Sequence, residues 1–135
     1  MCRYFEENYP EAPTLLGDTP VEKALIEQWV RWVEFYLFAP TGMCFQHTTG
    51  YFKDRMNPIK EWGEECRQSV NKFMEFLNDH LADREYICCE RFTAADINAF
   101  TAIAFARVVN IRILPEHTNL QAWYDRTKAR PSTQA

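Results

Sequence analysis

The chain has 135 residues, 47% apolar and 15% aromatic, with only 4 glycines and a formal net charge of −4. That content suits one domain with a real core and excludes a disordered chain, while the acidic balance argues against a nucleic-acid partner, which needs a basic patch. No stretch approaches the roughly 18 apolar residues of a membrane span, the early acids of Met1–Glu7 exclude a signal peptide, and five cysteines at irregular spacing give no disulfide framework, so a reduced cytoplasmic chain is expected.

In chain order, Cys2 to Asn8 reads as a short helix, and Pro10 and Pro13 then keep the backbone extended. Thr19 and Pro20 predict a helix start, as N-cap and first-turn residue. Leu25, Trp29, Val33 and Leu37 follow every four residues, and Ile26, Val30 and Tyr36 widen the stripe. Pro40 and Gly42 predict a kink or break, because proline lacks the N–H and crowds the preceding turn. The helix is expected to resume from Met43 to Phe52. A further helix starts at Asn57-Pro58 and carries Ile59, Trp62, Cys66, Val70, Phe73, Leu77 and Leu81 on one face. Ala82 to Glu90 is a connector whose Tyr86-Ile87 can pack back on the bundle. Thr93 and Asp96 then have the spacing of a capping box, flanked by Phe92 and Ile97 at the positions of a hydrophobic staple. The helix they open runs from Ala94 to about Asn110 and is apolar on most sides, which predicts burial. A last helix runs from about Asn119 to Ala129, and the tail Ser132 to Ala135 is expected to fray. No strand is predicted. The fold class is all-α, a bundle of about five helices.

The run Phe92-Thr93-Ala94-Ala95-Asp96-Ile97, followed by Pro115, then Asn119-Leu120-Gln121-Ala122-Trp123-Tyr124 and Ala129-Arg130-Pro131, resembles the C-terminal half of a cytosolic glutathione transferase of bacterial type. Cys2 to Pro10 looks like the last turns of the third helix of that family's thioredoxin-like domain, and Leu15 to Pro20 like the interdomain linker. The resemblance therefore divides the chain into a remnant and linker, 1–19, and a C-terminal helical domain, 20–135. No residue here matches the motifs of the family's first domain, which carries the thiol-activating Ser, Tyr or Cys. The resemblance implies no catalytic residue in this chain and no cofactor, with glutathione as co-substrate of the intact enzyme. It implies an apolar acceptor pocket, the H-site, that Phe35, Phe38, Cys44, Phe45 and Phe105 could line, and an apolar electrophile as the small-molecule partner. The 135 residues alone are expected to be inactive, either as part of a longer protein or as a stand-alone helical module that binds a protein or apolar ligands. The face left by a missing first domain is expected to be apolar and to drive dimerisation or higher assembly, with Tyr4 and Phe5 between chains.

Other chemistry-bearing residues have plainer readings. Asp96 reads as a capping carboxylate rather than a catalytic one, its charge met by backbone donors. Cys88-Cys89 lacks the Cys-x-x-Cys spacing of a zinc site and reads as a pair of small fillers, with an oxidisable thiol as the alternative. His47, His80 and His117 share no register, so neither a metal site nor a triad is assembled. His80 near a helix end suits the C-terminal dipole, and His47 could face the cleft. Arg107 could snorkel or pair with an acid, and Glu34 could reach a ligand or a partner subunit.

Overall fold

The computed structural model describes residues 2–9 and 14–133. The extended segment expected at Pro10 and Pro13 and the last two tail residues lie outside this range. Among the described residues there are six α-helices and no strand. They are α1 (Cys2–Asn8), α2 (Pro20–Val33), α3 (Ala39–Thr48), α4 (Lys60–His80), α5 (Ala94–Ala106) and α6 (Thr118–Lys128). The all-α bundle read from the sequence is the fold observed.

Helix α2 begins as predicted. Thr19 caps the Glu22 N–H at 3.2 Å, and the Glu22 carboxylate returns to the Thr19 N–H at 3.3 Å. Glu22 also accepts from the Asp18 N–H, and these two backbone donors hold its carboxyl below the usual range. At its other end the helix does not break. A π turn, Glu34–Phe38, joins α2 to α3 without interruption. The wider turn admits Pro40, whose ring would otherwise press on the carbonyl four residues back. The buried Thr41 hydroxyl adds a bond to the Leu37 carbonyl at 2.7 Å. Helix α3 ends at Thr48, four residues earlier than the expected Phe52, before a turn through Gly50 at φ +72°.

Helices α3 and α4 cross closely at Gly63, where a Cβ would lie 2.5 Å from Thr48 Cγ2. Helix α4 begins two residues after Pro58, and Ile59 and Trp62 are exposed rather than part of its core stripe. The stripe proper is Cys66, Val70, Phe73, Leu77 and Leu81, with Met74 beside it. Helix α5 presents Ala95, Ala99, Ala102 and Ala106 to the core, small residues that let neighbouring backbones approach. It then tightens to a 3-10 turn, Arg107–Val109, and stops at left-handed Asn110. It is not buried all round: Ile97, Thr101 and Val108 form an exposed strip. Trp123 and Leu120 of α6 complete the core. The residues after α6 do not fray at once, because Pro131–Thr133 form a short turn tied by the Thr133 hydroxyl to the Arg130 carbonyl at 2.7 Å.

Candidate functional site

Helices α2 and α5 lie side by side, joined by the Asn98 amide, which donates to the Val30 carbonyl at 3.3 Å. Helix α1 folds across this pair. Its Glu6 carboxylate accepts from the Thr14 hydroxyl at 2.7 Å and from the Leu15 and Leu16 N–H groups. The Leu15 carbonyl in turn accepts from Ala94 N–H at 2.9 Å, at the first residue of α5. Arg91 clamps the same region, donating to the Thr14 carbonyl, Asp18 and Glu22.

Between the three helices lies a groove of ≈ 910 Å³, lined by Phe5, Tyr9, Leu16, Val30, Ile97 and Thr101 among others. This volume falls within the range of sites for small molecules, and its mostly apolar wall is of the usual kind. Polar groups sit along it: Arg31 pairs with Glu34 at 2.6 Å and Glu27 at 3.2 Å, and Arg3 with Glu27 at 3.0 Å. Glu34 is thus held by an ion pair within its own helix turn.

The five residues expected to line an apolar pocket do not form one cluster. Phe38 and Phe105 meet, with ring centroids 5.2 Å apart. Each lies four residues beyond a groove residue, Glu34 and Thr101 respectively, and neither lines the groove itself. Phe35 is 67% exposed. Phe45 is half-buried and packs on Tyr51 and Phe52, at 5.6 and 6.1 Å, away from the groove lining. Cys44 is corrected: its side chain is fully buried in the core and offers no surface to a ligand. Sequence reasoning missed Val30, Ile97 and Thr101 as groove residues. The signal was the i, i+4, i+8 run Ile97-Thr101-Phe105, masked by the apolar residues on the helix's other sides.

Asp96 is a structural hub. Both Ile87 N–H, at 3.0 Å, and the Trp123 indole N–H, at 2.9 Å, donate to Oδ1. The Thr93 N–H and hydroxyl donate to Oδ2 at 3.0 and 3.2 Å, completing the predicted capping box. Burial pushes its carboxyl above the usual range, and the donors from Ile87, Trp123 and Thr93 pull against that rise. Trp123 and Asp96, far apart in sequence, are thereby locked together. Phe92, at the staple position, lies under the Arg130 guanidinium at 3.8 Å.

The histidines serve the fold. His47 Nδ1 accepts from the Ile59 N–H at 2.9 Å and so fixes the start of α4. His80 packs on Trp29 at 4.3 Å, with its Nε2 2.8 Å from the Ile87 carbonyl, and burial holds its pKa below the ordinary value. His117 is the buried N-cap residue of α6. Among the described residues no group of three His, Cys, Asp or Glu could hold a metal ion, and no helix is long and apolar enough to cross a membrane. Arg107 is exposed, 5.9 Å from the Tyr124 ring.

Residues 60–126 match the family described as the glutathione S-transferase C-terminal domain. The chain is 33% identical over 122 residues to glutathione S-transferase 2 of Saccharomyces cerevisiae, covering 89% of this chain and 52% of that protein. The crystal structure of Gtt2 from Saccharomyces cerevisiae superposes with a TM-score of 0.89 at 30% identity, over 98% of this chain and 64% of that one. A glutathione S-transferase domain-containing protein from Marinobacter aquaeolei VT8 gives a TM-score of 0.88 at 30% identity, over 97% and 64%. The chain therefore spans about half the length of the first of these relatives and under two thirds of the solved structures.

Proposed function

Because the chain belongs to the glutathione S-transferase family, through that family's C-terminal domain, we propose that it supplies the acceptor-substrate half of a glutathione-conjugating enzyme. In such a reaction the glutathione thiolate attacks an electrophile, and holding both reactants in line removes much of the entropic barrier. The role of this chain is to bind the apolar electrophile, orient it and keep water from it. The observation that carries the reading is the apolar groove between α1, α2 and α5, with the Phe38–Phe105 pair four residues further along from its Glu34 and Thr101. Aromatic faces suit flat apolar ligands, and the Arg31–Glu34 pair gives the wall a fixed polar point.

Glutathione is the co-substrate, and the thiol-activating group comes from outside these 135 residues, so the chain alone does not turn over. The five free thiols fit a reducing, cytoplasmic setting. Exposed apolar surface on α1 and α2 leads the chain to self-associate.

The test is displacement of an apolar fluorescent dye by an aryl halide. Phe38→Ala and Phe105→Ala are each expected to weaken binding about tenfold, the cost of about one lost aromatic contact. Unchanged affinity in both variants, or glutathione conjugation by the 135-residue chain alone, would overturn the reading.

A further inference from the structure

We propose that Cys88 and Cys89 form a thiol–disulfide exchange site, which a small-molecule disulfide closes into a bond between the two neighbouring residues. Successive side chains of an extended chain point to opposite faces. Here Cys89 takes a left-handed backbone, φ +62°, and the two Sγ atoms stand 3.5 Å apart. Left-handed backbone is costly for any residue but glycine, yet a cysteine occupies the position. The conformation is one that places both sulfurs on the same side of the chain.

The two thiols differ in access. Cys89 is half-buried, whereas Cys88 is only 5% exposed. Cys89 therefore reacts first. Its thiolate attacks one sulfur of the incoming disulfide, that S–S bond breaks, and one thiol leaves with a proton from water. Cys88 then loses its proton to solvent and attacks Cys89 Sγ, and the second thiol leaves. The protein is oxidised by two electrons and the small disulfide is reduced to two thiols. Burial, then the neighbouring Cys89, pushes the Cys88 thiol up to about 12, so the second step quickens as pH rises above neutral.

Closure brings the sulfurs from 3.5 Å to about 2.05 Å. Adjacent Cα atoms are only about 3.8 Å apart, closer than ordinary disulfides prefer, so the ring is strained and readily reduced. The strain falls on the neighbouring peptide, whose Ile87 N–H and carbonyl are held by Asp96 and His80. Oxidation thus loosens the bond network at the start of α5.

The experiment uses the 135-residue chain carrying Cys2→Ser, to remove the exposed thiol, incubated with oxidised glutathione and quenched in acid. The expected product has lost the mass of two hydrogens, maps to the Cys88–Cys89 peptide, reverts with dithiothreitol and melts below the reduced form. Cys89→Gly suits the left-handed backbone, so it is expected to fold, to melt no lower than the parent and to show no such loss. A stable glutathione adduct on Cys89, no reaction at this pair, or equal melting of the closed and reduced forms would overturn the proposal.

Discussion

At the scale of single residues, Asp96 shows how one carboxylate can organise a helix start, a loop and a distant helix together. Its two oxygens receive four donors, from Ile87, Trp123 and Thr93. Three of the four are N–H groups that cannot accept, so an amide in its place would turn its NH₂ toward at least one of them. Asp96→Ala leaves buried N–H groups without partners, each costing about 1–3 kcal/mol. The expected loss of stability is about 2 kcal/mol or more, read from the midpoint of urea unfolding at unchanged slope. Asp96→Asn is expected to recover little of it; full recovery would show that shape, not acceptance, is what matters. The capping half of this hub was legible in sequence, because Thr93 and Asp96 are three residues apart. The Trp123 and Ile87 bonds were not, because nothing local links residues 96 and 123. The same limit applies to Cys44, whose place in an aromatic stretch said nothing of its complete burial.

At the scale of elements, the starts of α1, α2, α4, α5 and α6 were readable within a residue or two, but a cap supplied from elsewhere in the chain was not. Thr19-Pro20 and Thr93-x-x-Asp96 carry their signals locally. Helix α6 has no side-chain bond from its own N-cap, His117. The Asn78 side chain of α4 serves instead, its Oδ1 accepting from the Asn119 and Leu120 N–H groups at 3.1 and 3.3 Å. Pro40 did not end the helix, for a related reason. The proline rule assumes an α turn ahead of it, whereas the Glu34–Phe38 π turn lets the helix continue. Asn78→Ala should therefore cost about 1 kcal/mol, the usual value of a helix cap, although it lies 41 residues from the N–H it serves. Amide exchange in the first turn of α6 should rise in parallel. Protection unchanged from the parent would assign the stability of α6 to packing of Leu120 and Trp123 alone.

At the scale of the whole molecule, the chain exposes more than it needs to. A folded monomer of 16.0 kDa is expected to present about 7,400 Å², and this chain presents 8810 Å². The difference exceeds the roughly 800 Å² that one partner contributes to a standard interface. Several aromatic side chains are among the exposed residues. Tyr4 and Phe5 of α1 are 62% and 51% exposed and meet edge to face at 5.8 Å. Tyr36 and Phe76 stand out beside Phe73. Exposed apolar side chains of this kind favour association, so the chain should associate as its concentration rises. Sedimentation across a concentration series is expected to show a dimer or larger species. Replacing Tyr4 and Phe5 together by Ser should shift the series toward monomer without lowering the melting temperature, since no residue of α1 is buried. A parent chain that sediments as a monomer throughout would mean that the grooved face is tolerated by water as it stands.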